Sequence, residues 1–216
     1  MKTHFSKEWR KTLLIMLTAV FAMGFSLSLL VLTHFGTDPC SCMNYGISRL
    51  TGISFGTCQV LLNLALLLFV LLFYRSSIGL GTLANMVLIG YTADFFTWIW
   101  RSLLHIPEQL SLTARVMILI SGILIFVISA AFYMNSGHGV APYDAIPFIM
   151  DEAAMKKNGG KSHFKLFRFG QDLTCSCIGI LTGGEYGVIT FLMVILLAPT
   201  VQIVGKLFQK KFHTED

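Results

Sequence analysis

Residues 34–39 read HFGTDP, and residues 138–144 read HGVAPYD. Each stretch follows a long apolar run and opens a short segment, and two further apolar stretches come after it. The two stretches also match in register, since Gly36 and Pro39 lie the same number of residues before Gly139 and Pro142. This echo predicts that the chain consists of two copies of one membrane module.

The composition is that of a polytopic membrane protein. Hydrophobic residues make up 55% of the 216 residues and charged residues only 12%, against roughly a quarter charged in soluble proteins. The mean hydropathy is +0.72. The net charge of +5 is therefore not interpreted as a nucleic-acid signature, and we expect no nucleic-acid partner.

The sequence contains no recognisable catalytic or nucleotide-binding motif. Two Cys-x-Cys pairs, at residues 40–42 and 175–177, would suit thiolate ligation of a soft metal. They do not align in the repeat, and residues two apart on a helix face away from each other. We therefore predict that the protein is not an enzyme and carries neither a cofactor nor a metal.

Six windows are apolar enough to cross a bilayer, which needs about 20 residues per helix. The fifth is the least regular because Arg168 and Asp172 fall inside it. The predicted spans are residues 13–34, 56–74, 79–100, 116–133, 166–182 and 186–204.

The distribution of basic residues predicts the orientation, because loops on the cytoplasmic side are enriched in Lys and Arg. With six spans, one side has three basic residues, Arg49, Arg101 and Arg115. The other side has twelve: Lys2, Lys7, Arg10, Lys11, Arg75, Lys156, Lys157, Lys161, Lys165, Lys206, Lys210 and Lys211. Both termini are therefore expected to be cytoplasmic.

The repeat divides the chain into residues 1–110 and residues 111–216, with three spans in each half. Because three is an odd number, the two halves must have opposite orientations in the membrane. The predicted fold class is thus an all-α integral membrane protein with a 3+3 inverted repeat, an architecture that recurs in transporters.

Each half also contains one short helix, predicted at residues 39–50 and 142–155. Pro39 at the first helical position and Asp38 before it are good helix-start residues, and the glycines Gly36 and Gly139 permit a tight turn or a close backbone approach. Two interpretations remain open. The helices either re-enter the membrane and direct their N-termini at a ligand, or they are interfacial connectors.

Polar residues inside the spans are candidate site residues, since they are costly in a membrane. Arg168 and Asp172 lie four residues apart, and the repeat aligns them with Gln59 and Asn63. They could form a shared interior surface. Equally, Arg168 and Asp172 could satisfy each other, and the amides could serve as interhelical hydrogen-bond partners. Asp94, beside the aromatic end of its span, is expected to be solvated.

The predicted substrate-binding set combines the two turns with these polar positions. It consists of Gly36, Asp38, Pro39, Gln59, Asn63, Gly139, Pro142, Asp144, Arg168 and Asp172.

Several short motifs resemble the YczE/YyaS-type bacterial membrane proteins. They are GTDP at residues 36–39, LTGISFGT at 50–57 and GLGT at 79–82, and the second half looks like that family's second repeat. The chain departs from the pattern at the insertion 155–163 and at Asp38, where a small residue is expected. The resemblance implies a bacterial cytoplasmic membrane location and the duplication, but it supplies no substrate.

These patterns favour a transporter of a small solute, with an anionic or zwitterionic solute as the candidate class and Arg168 as the anion partner. The alternative is a membrane regulator or scaffold that does not transport but binds a protein or a lipid. The expected partners are the bilayer, a small-molecule substrate, and a second copy of the chain or another membrane protein.

Overall fold

The computed structural model describes residues 7–157 and 159–195, together with residues 199 and 203. Throughout these residues the regular structure is helical. The helices are α1 (Lys7–Thr33), α2 (Pro39–Thr51), α3 (Phe55–Phe73), α4 (Leu80–Trp98), α5 (Leu112–Met134), α6 (Pro142–Lys157), α7 (Phe164–Leu181) and α8, described over residues 188–195. A 3-10 turn, Arg75–Ser77, precedes α4, and a π-helical turn, Ile99–Leu103, extends it.

Three of the described helices are long and apolar enough to cross a membrane. They are Trp9–Thr33, Phe55–Phe73 and Leu112–Met134, with mean hydropathies of 2.3, 2.3 and 2.6. They coincide with the first, second and fourth predicted spans. Helices α4 and α7 cover the third and fifth. Most of the sixth, and the basic residues Lys2, Lys206, Lys210 and Lys211, lie outside the described residues.

Helix α1 is the centre of the bundle, and it packs against α4 and α5. Its buried face includes Met16, Val20 and Leu27, which belong to the same cluster as Ile89 of α4 and Phe126 of α5. Lipid tails are as apolar as these side chains, so close van der Waals packing holds such helices together in a membrane.

Both short helices are present. Helix α2 starts as the sequence predicts, with Pro39 in its first turn and the Asp38 carboxylate accepting a hydrogen bond from the backbone N–H of Ser41 at 3.1 Å. It ends at Thr51 rather than at residue 50, and Gly52, whose φ of 73° is left-handed, caps it. Helix α6 extends to Lys157 rather than to residue 155.

The short helices pack inside the bundle and are not peripheral to it. Helix α2 contacts α7 and α3, and helix α6 contacts α3 and α7. Each short helix therefore touches the second long helix of both halves.

One expectation about a charged residue is wrong. Asp94 is half-buried, and its Oδ2 accepts a hydrogen bond from the backbone N–H of Gly56 at 2.7 Å. The carboxylate thus binds the N-terminus of α3, where the partial positive charge of the helix favours it. The close contact between Gly56 and Gly90 brings α3 and α4 near enough for this bond.

Candidate functional site

A cavity of about 230 Å³ lies where α2, α3, α4, α5, α6 and α7 meet. Met23 of α1 also reaches its wall. Its charged and amide-bearing residues are Asp38, Gln59, Asn63, Asn85, Asp144 and Arg168. Five of these six were predicted as site residues, and the structure brings them together from both halves of the chain.

The first turns of both short helices border the cavity. Asp38, Cys40 and Ser41 line it from the start of α2, and Tyr143 and Asp144 line it from the start of α6. The N-terminus of a helix carries about half a positive charge. Two such ends are therefore directed at one space, and each has its own carboxylate nearby.

Helices α3 and α4 contribute the amides. Gln59 and Asn63 are buried, and the amide nitrogen of Asn63 donates to the backbone oxygen of Gln59 at 3.0 Å. Asn85 of α4 is buried as well. Sequence analysis did not include Asn85 in the site, although an amide in the middle of an apolar span is the signal that could have found it.

Arg168 of α7 lies in an ionic network. Its Nη1 donates to Asp144 Oδ1 at 2.7 Å, and its Nε donates to Asp172 Oδ2 at 3.0 Å. The hydroxyl of Tyr143 donates to Asp172 Oδ1 at 2.7 Å, and the Tyr143 ring lies 5.2 Å from the guanidinium. The predicted pairing of Arg168 with Asp172 is thus present, and Asp144 joins it from α6.

Asp172 is 1% exposed and does not line the cavity, so it acts on the site through Arg168. Tyr143 and Gln171, which sequence analysis missed, complete the surroundings. The Gln171 amide nitrogen donates to the backbone oxygen of Tyr143 at 2.9 Å. The aromatic residue between Pro142 and Asp144 gave no sign of this role in the sequence.

The four Gly and Pro residues of the predicted set do not border this cavity. Gly36 and Gly139 have φ values of +100° and +94°, a left-handed conformation that favours glycine. Pro39 and Pro142 lie in the first turns of α2 and α6. The two glycines shape the turns that precede the short helices, and the two prolines begin the helices themselves.

Each turn is hydrogen-bonded to the other half of the chain. In the first turn, Thr37 donates to the backbone oxygen of Glu185 at 3.0 Å, and Ile189 donates to that of Phe35 at 2.9 Å.

In the second turn, Val140 donates to the backbone oxygen of Ser77 at 3.0 Å, and Gly81 donates to that of His138 at 2.7 Å. The repeat also aligns residues 77–79 and Thr82 with residues 185–187 and Thr190. Under this alignment the four bonds form two equivalent pairs.

Comparison with known proteins identifies the family of the chain. The model of a family of unknown function, DUF6198, matches residues 10–206. The chain belongs to the DUF6198 family.

Two relatives have curated descriptions. The "Uncharacterized membrane protein YczE" of Bacillus subtilis (strain 168) is 27% identical over 161 residues, which cover 74% of this chain and 69% of the relative. An "Uncharacterized protein" of Haemophilus influenzae (strain ATCC 51907 / DSM 11121 / KW20 / Rd) is 27% identical over 204 residues, covering 94% and 87%. No solved structure matches the chain. The YczE-type resemblance seen in the motifs is confirmed, and so is the membrane character of this DUF6198 chain.

Proposed function

We propose that this protein is a small-solute transporter of the bacterial cytoplasmic membrane and that the cavity beside Asp38 and Arg168 is its substrate site. The observation that carries the proposal is the cavity itself. Charged and amide side chains from several helices surround one interior space, although such groups are costly inside a membrane bundle. Ligand sites in proteins combine a mostly apolar wall with a few convergent polar groups.

The proposal includes a six-span fold with two inverted halves. Its support is the exchange of hydrogen bonds between the halves, in which the bonds from Thr37 and Ile189 at one turn correspond to those from Val140 and Gly81 at the other. The two turns also lie at opposite ends of α1. The first follows Thr33, whereas His138 in the second lies 3.0 Å from Thr12 near the start of the helix. A helix of 27 residues is about 40 Å long, enough to separate the two faces of a bilayer.

In this arrangement the short helices re-enter the membrane, and the site lies between the halves, as in transporters built from inverted repeats. The bilayer is the partner of the outer surface, where Leu61, Leu68, Leu72 and Leu124 are exposed. We place both termini in the cytoplasm on the basis of the charge distribution.

Uptake into proteoliposomes tests the proposal. Purified protein is reconstituted, and the initial uptake rates of radiolabelled amines, amino acids, carboxylates and sugars are compared with those in protein-free liposomes. We expect at least one class to enter faster. Asn85→Leu, which removes an amide from the cavity wall with little change in volume, should then lower that rate at least tenfold. The control is Val87→Leu, on the exposed face of the same helix, which should leave the rate unchanged.

Two outcomes would contradict the proposal. If no solute enters faster than in protein-free liposomes, the protein does not transport members of these classes. If Asn85→Leu transports at the wild-type rate, the cavity is not the site.

A second candidate function is a membrane regulator or scaffold that binds a lipid or a soluble protein. The observation in its favour is the cluster of exposed lysines at and after the end of α6, namely Lys156, Lys157, Lys161 and Lys165. Basic clusters next to a membrane attract anionic headgroups. A stable partner that co-purifies with the wild type, and is lost when these lysines are neutralised, would favour this function.

A further inference from the structure

We propose that the cavity takes a small organic cation, an ammonium group attached to an apolar body, with the Asp38 carboxylate as its counter-charge. This inference rests on the proposed function, because it names the substrate class of the same site. It differs from the anionic or zwitterionic class that the sequence suggested.

The charge of the site decides between cation and anion. The carboxylates of Asp144 and Asp172 pair with one guanidinium, that of Arg168, and the carboxylate of Asp38 lines the same cavity. The N-termini of α2 and α6 together contribute about one further positive charge. With all three carboxylates ionised, about one negative charge is left without compensation, and inside a protein such a charge is stable only when it is paired or protonated.

The positive charge of Arg168 is already matched by two carboxylates. Two of its nitrogens already donate to Asp144 and Asp172, at 2.7 and 3.0 Å. An anionic ligand beside Arg168 would therefore add negative charge to a site in which carboxylates already outnumber the guanidinium.

Acceptor atoms at the site lack donors. Asp38 is 7% exposed, and its Oδ1 accepts from Ser41, but its Oδ2 has no hydrogen-bond partner among the described residues. The side-chain oxygen of the buried Asn63 also has none in the described part of the chain. An ammonium group supplies up to three N–H donors, so it matches these two acceptors. The Tyr133 hydroxyl, which also lines the cavity without a partner among the described residues, can accept as well as donate.

The remainder of the wall suits an apolar body. It includes Phe126, Phe148, Met23 and Ile89, and aromatic rings attract cations through their faces. The volume of about 230 Å³ exceeds the ~150 Å³ of an engineered cavity that binds benzene. A single-ring amine therefore fits. Among the described residues no three His, Cys, Asp or Glu side chains converge as a metal site would require, which favours an organic cation.

Three probes of one size and different charge test the inference by binding alone. The detergent-purified protein is titrated with benzylammonium, benzyl alcohol and benzoate at pH 7, and binding is measured by isothermal calorimetry and by the shift in unfolding temperature. We expect benzylammonium to bind at least tenfold more tightly than the other two probes. Asp38→Asn should remove most of that preference, and the cap is kept because Asn is as good an N-cap as Asp. Glu152→Gln, which changes an exposed charge on α6 in the same way, is the matched control and should keep the preference.

Each alternative result overturns the inference. Preferential binding of benzoate, equal binding of the three probes, or no binding of any of them would each exclude an organic-cation site. So would an Asp38→Asn variant that retains the wild-type preference. The test is separate from the uptake assay. Binding of benzylammonium without uptake of any solute would refute the transporter and support the cation site. Uptake of carboxylates alone would support the transporter and refute the cation site.

Discussion

The turn at Gly36 and the turn at Gly139 have the same backbone pattern and different side-chain surroundings. In both, a glycine with φ near +100° precedes a short helix, and a pair of backbone hydrogen bonds joins the turn to the other half. Around Gly36 the side chains are charged. Arg49 bonds to Glu185, and Arg115 lies 4.3 Å from the Phe35 ring. Around Gly139 the neighbours are neutral, since His138 contacts the Thr12 hydroxyl and the edge of the Trp9 ring.

This difference distinguishes two groups of residues near each turn by their roles. The glycines and the backbone bonds are common to both turns, so we infer that they join the halves of the bundle. Two charged residues of the candidate site, Asp38 and Asp144, lie close to these glycines in the sequence, at the starts of α2 and α6, and the third, Arg168, lies on α7. We therefore infer a structural role for the glycines, which are the most recognisable part of the repeat. The polar residues that line the cavity follow the repeat less regularly.

The largest expected effect on stability comes from disrupting the close contacts between the halves at Gly36 and Gly139. A methyl group at Gly36 would lie 2.6 Å from the backbone nitrogen of Gly187, and one at Gly139 would lie 2.6 Å from that of Gly79. We expect Gly36→Ala and Gly139→Ala each to lower the free energy of unfolding by about 3 kcal/mol, the upper end of the cost of a strained residue. The measurement is denaturant unfolding in detergent.

The control for both is Gly52→Ala. Gly52 also has a positive φ, 73°, but nothing lies near the position of the added methyl group. Gly52→Ala should lower the free energy of unfolding by only about 1–2 kcal/mol, which is the cost of the left-handed backbone conformation alone. Equal losses for all three variants would show that the close contacts between the halves contribute nothing.

A smaller effect distinguishes the two turns at equivalent threonines. Thr82 Oγ1 accepts from Gly79 at 3.0 Å and donates to the backbone oxygen of Val140 at 2.8 Å, whereas Thr190 Oγ1 has no partner in the described part of the chain. Thr82→Val should cost about 1–3 kcal/mol because it leaves buried groups unpaired. Thr190→Val should change the stability by less than about 0.5 kcal/mol, since it removes no hydrogen bond. The reverse order, in the same unfolding assay, would contradict the difference between the turns.

The ionic contacts of the first turn should contribute less. The Arg49 side chain is 55% exposed and that of its partner Glu185 is 9% exposed. Because water reaches Arg49, we expect the pair to contribute about 1 kcal/mol, the upper end of the range for exposed ion pairs. Arg49→Gln should therefore lower the unfolding temperature slightly at low ionic strength. At 0.5 M salt the difference from the wild type should shrink, because salt screens exposed charges. A difference that does not depend on salt would show that the packing of the Arg49 stem, and not its charge, matters.

The smallest effect is a pH dependence at the second turn. Burial lowers the pKa of His138, so the folded protein binds a proton there less readily than the unfolded chain. The contribution of neutral His138 to stability is then fully present above the unfolded pKa of about 6.5, and it decreases as the pH falls below that value. Unfolding temperatures measured between pH 7.5 and 5.5 should fall less in His138→Gln than in the wild type. An identical fall in both would exclude a contribution from His138.

Much of the fold was readable from the sequence. Hydropathy located the long helices, and the Asp38–Pro39 start and the Gly36 and Gly139 turns predicted where the short helices begin. The sixth span and the C-terminal basic residues stay predictions, because they lie largely outside the described residues. The role of Asp94 was missed, since its partner is a backbone N–H of α3 that approaches only because Gly56 and Gly90 are in contact.

The site was partly readable. Residues such as Gln59, Asn63, Asp144 and Arg168 were found because polar groups in apolar segments are costly. Asn85 met the same criterion and was overlooked. The pairing of Arg168 with Asp144 depends on the packing of α6 against α7, which no local pattern encodes. The sequence left open whether Arg168 pairs with Asp172 or meets an anionic ligand, whereas in the structure Arg168 pairs with both Asp144 and Asp172.

The inversion of the two halves can be tested by labelling one loop from each. Glu108 lies between α4 and α5, and Lys161 lies between α6 and α7. Each is replaced by Cys, and an impermeant thiol reagent is applied to intact cells and to permeabilised cells. The wild type measures the labelling of the native cysteines. Our account predicts that Glu108→Cys is labelled in intact cells and that Lys161→Cys is labelled only after permeabilisation. Labelling of both positions from the same side would contradict the inverted arrangement and, with it, a substrate site between the halves.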